Sequence, residues 1–424
     1  MKTSMKKRNV FYAQSGGVTA VINASACGVI EACQDNSDHI GKVYAGQNGI
    51  IGALSENLID TSLESKESLA ALKHIPGGAF GSCRYKLQDI EQSEHEYQRL
   101  IEVFRAHNIG YFFYNGGGDS ADTCLKVAKM SEKMKYPLQA IHIPKTIDND
   151  LPLTDCSPGF GSVAKYVAIS TREAGLDIAS MAASSTKVFI LEVMGRHAGW
   201  IAAAAGLAAE KEGDAPHIIL FPEIPFVRET FIAQVEAMVE QHGYCVVVAS
   251  EGTVYGDGAL ISGSLNKDAF GHPQLGGVAP ALASMVKHSL GHKYHYAVAD
   301  YLQRAARHIA SATDVDQAYA VGRAAVEKAL QGKRSIMVTL ERKQGNSYCW
   351  SLGEAPLEAV ANQEKKMPRS FISKDGFAIT QQARDYLAPL IAGENYPPYK
   401  NGLPHYPKLK NMLVAKKLDA TFTP

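Results

Sequence analysis

The sequence is poor in the features that mark secreted, membrane-spanning or disulfide-bonded proteins. Its seven cysteines are scattered, odd in number and without a Cys-x-x-Cys pair, which predicts small core residues in a reducing compartment. No window approaches the roughly 18 uninterrupted apolar residues of a transmembrane helix. The basic segment 1–9 is not followed by the apolar stretch of a signal peptide. We therefore expect a cytoplasmic protein with no membrane partner.

Net charge is also absent. The chain has 43 Lys and Arg residues against 43 Asp and Glu residues, so no overall field attracts nucleic acid or an anionic surface. Any binding of phosphate must then depend on a local cluster of cations. A length of 424 residues is too great for one simple core and predicts two or three packed regions.

Short apolar runs alternate with longer helical patterns, which is typical of α/β proteins with mostly parallel sheets. The predicted strands are residues 10–14, 41–45, 111–114, 138–143, 187–193, 217–221, 244–250 and 335–340. The predicted helices are residues 19–33, 92–107, 121–134, 162–178, 228–242 and 314–330. Loops rich in glycine and charge follow strands in both halves, so we expect two facing Rossmann-like lobes. Residues 1–155, completed by about 305–340, form one lobe, residues 156–304 form the other, and residues 341–424 form a C-terminal extension that wraps the surface.

The most informative loop is Pro144–Asp150, which directly follows a predicted strand. It carries Lys145, Thr146 and the carboxylates of Asp148 and Asp150. An ammonium group can neutralise a transferring phosphoryl group, and a carboxylate can accept a proton or hold Mg²⁺. The pattern therefore predicts a phosphoryl-transfer loop. A solvated turn with an Asx cap is the alternative.

Three glycine-rich loops in the first half also follow predicted strands. Ser15-Gly16-Gly17 lies before the first helix, the loop 76–85 ends on Arg84 and a tyrosine, and Gly116–Ser120 carries Asp119. Glycines let a ligand approach the backbone, helix N-termini attract anions, and an arginine side chain can donate two hydrogen bonds to phosphate oxygens. Each loop has a structural alternative: a tight turn, a solvated arginine, and an N-cap at Asp119 or Ser120.

The second half places further polar residues after strands. They are Met194-Gly195-Arg196, Glu251 and the run Tyr301–Arg304. His197 follows Arg196 and has the chemistry of a catalytic residue, although its position in a turn favours capping or packing. Residues 256–277 are rich in glycine and are expected to form a mobile or inserted loop.

Taken in order, these motifs resemble those of the phosphofructokinase family over about residues 9–340. The residues that carry the resemblance are Ser15-Gly16-Gly17, Gly81–Arg84, Gly116–Ser120, Thr146–Asp150, Met194-Gly195-Arg196, Glu251 and Tyr301–Arg304. The resemblance implies that the first lobe binds the phosphoryl donor and that the second binds fructose 6-phosphate.

The resemblance also implies a role for each matching residue. Asp148 matches the general base that takes the proton of the attacking sugar hydroxyl, and Lys145 and Asp119 are expected to act with it. The residues expected to hold fructose 6-phosphate are Thr146, Ile147, Asp148, Met194, Gly195, Arg196, Glu251, Tyr301, Leu302, Gln303, Arg304 and Lys187. Lys187 matches a basic residue that reaches the sugar phosphate of a neighbouring subunit, which implies a homodimer or homotetramer. The residues expected to bind the donor are Gly16, Gly17, Arg84, Gly117 and Lys145.

Two positions indicate diphosphate as the donor. Lys145 and Asp119 stand where ATP-using members of the family have glycine, and this lysine and aspartate are typical of the diphosphate-dependent branch. A carboxylate at Asp119 would repel the α-phosphate of ATP, and Lys145 supplies charge to a donor without a nucleoside. The aspartate often credited with Mg²⁺ in the family is Gly118 here. We therefore expect Asp119 to be the metal ligand, with Asp148, Asp150 or diphosphate itself as alternatives.

The implied activity is a reversible, Mg²⁺-dependent phosphoryl transfer from diphosphate to the 1-hydroxyl of fructose 6-phosphate. Its products are fructose 1,6-bisphosphate and phosphate. The alternatives are an ATP-dependent 6-phosphofructokinase and a non-catalytic sugar-phosphate-binding regulatory subunit, and sedoheptulose 7-phosphate stays open as an acceptor. A dinucleotide oxidoreductase is disfavoured because no Gly-x-Gly-x-x-Gly motif follows the first strand.

Overall fold

Every strand that leads into a predicted site loop is present in the computed structural model, which describes residues 7–261, 275–345, 347–419 and 422. The strands are β1 (Arg8–Ser15), β2 (Ile40–Gly46), β3 (Leu58–Asp60), β4 (Ser82–Cys83), β5 (Ile109–Gly116), β6 (Gln139–Pro144), β7 (Val188–Val193), β8 (Ile218–Leu220), β9 (Cys245–Ser250), β10 (Tyr294–Val298), β11 (Ile336–Arg342), β12 (Trp350–Pro356), β13 (Tyr399–Lys400) and β14 (Leu403–Pro404).

The helices lie between these strands, as the alternating pattern predicts. They are α1 (Ile22–Asp35), α2 (Ile50–Leu54), α3 (Lys66–Ala71), α4 (Glu94–Ala106), α5 (Gly118–Lys133), α6 (Phe160–Met181), α7 (Trp200–Ala204), α8 (Arg228–His242), α9 (Val278–Leu290), α10 (Asp300–Ala305), α11 (Ala312–Leu330) and α12 (Gln381–Leu387). Each predicted strand and helix is confirmed, with ends shifted by a few residues. Helix α9 and strand β10 are not among the predicted elements.

The larger sheet has the strand order β12-β11-β6-β5-β1-β2-β3, and β4 pairs with the end of β1. Strand β1 lies inside the sheet and pairs in parallel with β2 and β5. Its side chains alternate between two cores: Val10 and Tyr12 pack with residues of α1 and α11, and Phe11 and Ala13 pack with residues of α4 and α5. This burial on both faces explains why β1 is a continuous apolar run in the sequence.

The smaller sheet has the order β10-β7-β9-β8 and is parallel throughout. Val188 and Ile190 of β7 pack on one face with residues of α8 and α9. Leu191 and Val193 join a core cluster that also contains residues of β1, α6 and α7. One hydrophobic cluster therefore includes residues of both sheets. The two-lobed α/β fold with mostly parallel sheets is confirmed.

The C-terminal extension is more ordered than the sequence predicts. Strand β12 runs antiparallel to β11 and adds an edge to the larger sheet. Phe371 and Leu387 belong to the core cluster that spans both sheets. The prediction that the tail wraps the surface rather than forming a domain is therefore incomplete, because part of the tail is buried in this core. The buried apolar side chains are spaced irregularly, so no local periodicity predicts their burial.

Other predictions about organisation have mixed outcomes. The larger sheet takes its strands from residues 8–144 and 336–356 and the smaller sheet from residues 188–298, whereas the exact lobe boundaries stay predictions.

All seven cysteines are free thiols and five are buried, but Cys349 is exposed and contradicts its assignment to the core. Residues 262–274 of the predicted glycine-rich loop lie outside the described residues. Among the helices of the described ranges, none has the length and apolar character needed to span a bilayer.

Candidate active site

The loops at the carboxyl ends of β1, β5, β6, β7 and β9 line one cavity of about 280 Å³. Parallel strands end on the same edge of a sheet, so the loops that follow them meet there. Both sheets contribute to the cavity walls, and the polar residues that follow their strands in the sequence are thereby brought together.

The loop after β6 carries Asp148 to the cavity through a set of local hydrogen bonds. The Asp148 N–H donates to Thr146 Oγ1 at 3.1 Å, and this bond closes a tight turn. Asn149 follows with a positive φ of 54°, and its buried side chain accepts a hydrogen bond from the Ser157 N–H at 3.0 Å. The predicted turn therefore exists, and it serves to present Asp148.

Asp148 lies in an environment that disfavours its charge. Burial raises its pKa to about 7, the carboxylates of Asp150 and Glu251 add to the rise, and Arg196 and Lys145 oppose it. A carboxylate with a pKa near neutrality is suited to accept a proton during catalysis. The geometry therefore supports a role for Asp148 as a general base.

Arg196 and Glu251 form the wall contributed by the smaller sheet. The Glu251 N–H donates to Val193 O at 2.8 Å. Ser250 Oγ donates to Gly195 O at 2.6 Å, and Gly195 has a φ of 131° that favours glycine. Burial raises the pKa of Glu251 to about 7, against the stabilising effect of the Gly195 N–H and Arg196. Glu251 is thus a second carboxylate able to exchange a proton near neutrality.

Lys145 lies beneath the turn at Gly16 and Gly17. Its ammonium donates to Gly17 O at 2.7 Å, and only 4% of the residue is exposed. Burial lowers its pKa to about 8, and the neighbouring charges of Arg304 and Arg84 lower it further. The left-handed φ of 73° at Gly16 allows the turn to curve over the lysine. The tight turn predicted as an alternative is therefore part of the site.

Two guanidinium groups converge on the other side of this turn. A Cβ atom at Gly17 would lie 2.6 Å from Arg304 Nη1 and 3.6 Å from Arg84 Nη2. Arg304 also packs over the ring of Tyr301, with 3.7 Å between its Cζ atom and the ring centroid. Gly17 thus leaves room for Arg304 beside the backbone, and Arg84 lies close by. An anion at this position would meet two planar guanidinium groups. Arg84 is solvent-exposed, as the alternative for this residue predicted, and it also lines the cavity.

Asp119 lies in the first turn of α5, but it does not cap the helix. The N-cap residue is Gly117, without a side-chain hydrogen bond to the helix backbone. Asp119 Oδ1 instead accepts a hydrogen bond from Lys86 Nζ at 2.9 Å, and Ser120 Oγ donates to Ser15 Oγ at 2.8 Å. The capping alternative is therefore wrong for both residues. Lys86 was missed, although it follows Arg84 closely in the sequence.

Most of the predicted site residues line the cavity. They are Gly16, Gly17, Arg84, Gly117, Asp119, Lys145, Thr146, Ile147, Asp148, Met194, Arg196, Glu251 and Arg304. Gly195 lies directly behind this wall. Their proximity follows from the fold, while their individual roles stay predictions.

Three residues of the run 301–304 lie outside the cavity wall. Gln303 is buried, and its Oε1 accepts a hydrogen bond from the Met194 N–H at 3.3 Å. Tyr301 and Leu302 are exposed, at 55% and 68%. Gln303 therefore holds the backbone of the loop after β7. The side chains of Tyr301 and Leu302 face away from the core of the chain.

Lys187 is remote from the cavity of its own chain. It immediately precedes β7, and the cavity lies beyond the other end of this six-residue strand, roughly 20 Å away at 3.3 Å per residue. Lys187 donates to Ala182 O. Its predicted contact with the sugar phosphate of a neighbouring subunit stays a prediction.

The C-terminal extension contributes residues that sequence analysis did not find. Glu364, Lys365 and Lys366 line the cavity. Glu364 Oε1 lies 2.9 Å from Nδ1 of His197, so His197 is at the cavity edge and the predicted capping or packing role is wrong. No local signal marks these residues, since they lie more than 160 positions from the loops they contact.

The carboxylates of the cavity are compatible with a metal ion that is bound mainly by the phosphate oxygens of a substrate. Within the described residues, no group of three or more His, Cys, Asp and Glu side chains could hold an ion by itself. Asp119, Asp148 and Asp150 nevertheless line the same cavity. Mg²⁺ commonly binds one or two carboxylates, several waters and the phosphate oxygens of a substrate, and the cavity is compatible with that arrangement.

Comparison with known proteins agrees with this geometry. Residues 9–329 match the Phosphofructokinase family. The chain is 67% identical over 414 residues to the pyrophosphate–fructose 6-phosphate 1-phosphotransferase of Halomonas elongata, across 98% of this chain and 99% of that protein. It is 63% identical over 419 residues to the protein of the same name from Methylococcus capsulatus, across 99% and 100%. The crystal structure of pyrophosphate-dependent phosphofructokinase from Marinobacter aquaeolei matches with a TM-score of 0.91 and 65% identity, across 98% of this chain and 100% of that chain.

The chain has two α/β lobes, and cations and carboxylates meet at the ends of their strands. This fold and this site are typical of a phosphotransferase. The chain belongs to the phosphofructokinase family. Within the family, its full-length relatives place it in the branch that is named for pyrophosphate. The resemblance seen in the sequence is confirmed.

Proposed function

We propose that the enzyme transfers a phosphoryl group from diphosphate to the 1-hydroxyl of fructose 6-phosphate, reversibly and with Mg²⁺. The observation that carries the choice of donor is the buried ammonium of Lys145 beneath the Gly16-Gly17 turn, in the same cavity as Asp119. The names of the full-length relatives support the same reaction. Fructose 1,6-bisphosphate and phosphate are the products.

Different residues of the cavity accept the proton and neutralise the charge on the phosphoryl group. Asp148 accepts the proton of the 1-hydroxyl as the sugar oxygen forms its bond to the transferred phosphorus, and the bridging P–O bond of diphosphate breaks to release phosphate. Lys145, Arg84 and Arg304 surround the Gly17 backbone and offset the negative charge on the phosphoryl oxygens. Asp119 would hold Mg²⁺ together with diphosphate, and the ion would supply further charge neutralisation.

The acceptor is proposed to lie against the wall of the smaller sheet. Arg196 and Glu251 offer a cation and a carboxylate there, which can bind phosphate and sugar hydroxyl groups respectively. Gln303 holds the backbone of Met194 in this wall through the 3.3 Å hydrogen bond. Most of the catalytic effect in such a site comes from positioning the two substrates in line.

The donor and acceptor can be tested on the purified protein. With Mg²⁺ and fructose 6-phosphate, we expect turnover with diphosphate and at least about 10²-fold lower kcat/KM with ATP, because a repelling charge and a filled pocket disfavour the nucleotide. Enzyme-coupled detection of fructose 1,6-bisphosphate measures both donors, and sedoheptulose 7-phosphate serves as the second acceptor. Turnover with ATP and none with diphosphate would contradict the proposal in favour of the ATP-dependent alternative. Loss of turnover with every donor would favour the regulatory alternative.

We also propose a homodimer or homotetramer with a shared sugar-phosphate site. Tyr296 and Val298 on the edge strand β10 are exposed, and so are Tyr301 and Leu302 just beyond it. Neighbouring exposed apolar side chains on an unpaired edge support an interface. Lys187 precedes β7, the strand next to β10, so an interface there would bring it near a second chain.

A hybrid experiment tests the shared site. Co-expression of equal amounts of Asp148→Ser and Lys187→Met chains should restore about a quarter of the wild-type activity, since half of the dimers are mixed and each has one intact site. As a control, Asp148→Ser mixed with Arg84→Met should restore none, because both residues belong to one chain's cavity. Equal activity from both mixtures would contradict the shared site. Light scattering of the same samples gives the oligomeric state.

A further inference from the structure

The segment 364–366 lines the cavity and contacts loops that follow strands of both sheets. On the side of the larger sheet, the Lys365 N–H donates to Asp150 O at 2.6 Å. On the side of the smaller sheet, the Trp200 Nε1–H donates to Lys365 O at 3.3 Å, and Glu364 pairs with His197. The main chain of Lys365 is therefore bonded to the loop that carries Asp148 and to the start of α7.

The side chain of Lys365 is bonded to the same loop. Its ammonium donates to Asp155 O at 2.9 Å, Thr154 O at 3.1 Å and Asn149 Oδ1 at 3.4 Å. An ammonium has three donors, and here they converge on oxygens of residues 149–155. Burial is costly for this charge, and it lowers the pKa of Lys365 to about 8. The lysine keeps its position because the loop supplies the oxygens that water would otherwise provide.

A second residue of the extension supports the loop from behind. Tyr386 in α12 accepts a hydrogen bond from Asn149 Nδ2 at 3.0 Å and donates to Asp155 O at 2.5 Å. The Asn149 side chain is thereby held between Tyr386, Lys365 and the Ser157 N–H. Asn149 has a left-handed backbone conformation, which persists only when the surroundings determine it. Asp148 is the preceding residue in the chain, so its orientation depends on how Asn149 is held by these hydrogen bonds.

We propose that Lys365 of the C-terminal extension is a positioning residue for phosphoryl transfer, which holds the loop 149–155 so that Asp148 faces the acceptor hydroxyl. Without the ammonium, the carbonyl groups of Thr154 and Asp155 lose a buried donor and the loop relaxes. A displacement of about 1 Å at a reacting group can lower the rate about 10²-fold. This inference rests on the proposed function, since it assigns Lys365 to the same reaction.

Lys365→Met tests the proposal and Lys165→Met is its matched control. Lys165 is also buried and bonded to the extension, through Gly393 O at 2.6 Å, but it does not line the cavity. We expect Lys365→Met to lower kcat by about 10²-fold with the KM of both substrates within about threefold, and Lys165→Met to keep kcat within about twofold. A rise in the KM of diphosphate with an unchanged kcat would overturn the proposal, because Lys365 would then contact the donor directly. Equal losses of kcat in both variants would overturn it as well.

Hydrogen exchange provides a readout that does not depend on turnover. Amides of residues 146–158 should exchange faster in Lys365→Met than in the wild type or in Lys165→Met. Tyr386→Phe, which removes one hydroxyl, should give a smaller effect of the same kind and replaces Lys365→Met if that variant does not fold. Unchanged exchange in this loop would overturn the positioning role. Wild-type protein that is inactive with diphosphate would instead contradict the proposed function, so the two failures are distinguishable.

Discussion

Asp148→Ser is expected to lower kcat by about 10²- to 10⁴-fold, the range that a general base supplies. The variant leaves Arg196, Glu251 and Arg304 in the cavity wall, so the dissociation constant of fructose 6-phosphate should change little. Steady-state kinetics gives kcat and calorimetry gives the dissociation constant. An interaction made only in the transition state produces this combination of effects.

Asp122→Ser is the control for this variant. Asp122 is a buried aspartate in α5 that pairs with Lys126 and does not line the cavity. Its replacement should leave kcat within about twofold, although the protein loses part of its stability. A kcat that is unchanged in Asp148→Ser would remove Asp148 from the mechanism.

The pH dependence identifies the base independently. Since Asp148 must be ionised to accept a proton and its pKa is raised to about 7, kcat/KM should fall as the pH decreases through about 7. Glu251 has a pKa raised to a similar value, so it is the competing assignment. Asp148→Ser should abolish this acid limb and Glu251→Gln should retain it. The opposite pattern would assign the base to Glu251.

Asp119→Gly combined with Lys145→Gly is expected to change the donor. The double variant should lose about 10²- to 10³-fold in kcat/KM with diphosphate, which corresponds to removal of a buried charge from its partners, and should gain measurable turnover with ATP. The ammonium of Lys145 lies 2.7 Å from Gly17 O and 3.6 Å from the position of a Cβ atom on Gly16. Its removal opens the space beneath the turn, and removal of the Asp119 carboxylate ends the repulsion of the α-phosphate.

Lys86→Met is the control for the donor change. Lys86 lines the same cavity and holds Asp119 through the 2.9 Å hydrogen bond, but it does not lie beneath the glycine turn. Its loss should weaken diphosphate binding without admitting ATP. If Lys86→Met used ATP as well as the double variant did, simple loss of positive charge would explain the change, and the steric part of the argument would be wrong. Donor panels on the three proteins measure this.

Much of the site was predictable because its residues follow strands. Gly16, Asp119, Asp148 and Arg196 all lie within a few residues of a strand end in the sequence, and parallel strands deliver such residues to one edge. The resemblance to a family added an expected role for each of these residues. What local spacing did not show was the partner of each group. Asp119 was expected to bind a metal ion or, as the alternative, to cap a helix, and neither expectation identified its ion pair with Lys86.

The contacts of the C-terminal extension were the part of the structure that the sequence predicted least. Its sequence has no periodic pattern around Lys365, and that residue lies 216 positions from Asn149, which it contacts. Contacts at such separation depend on how whole lobes pack, and no window of sequence contains both partners. The extension therefore appeared to be a surface tail, although it borders the cavity and is hydrogen-bonded to the loop after Asp148.

The sequence by itself determined the alternation of strands and helices, the chemical groups at the strand ends, and the lysine and aspartate at positions 145 and 119 from which a diphosphate donor is expected. These properties are local, since they depend on hydrophobic periodicity and on the identity of neighbouring residues. Only the tertiary structure decided that Arg84 and Arg304 meet at Gly17, that burial raises the pKa of Asp148 to about 7, and that Lys365 holds the loop behind it. Those properties depend on distances and on exclusion of water, which arise when segments far apart in the chain pack together.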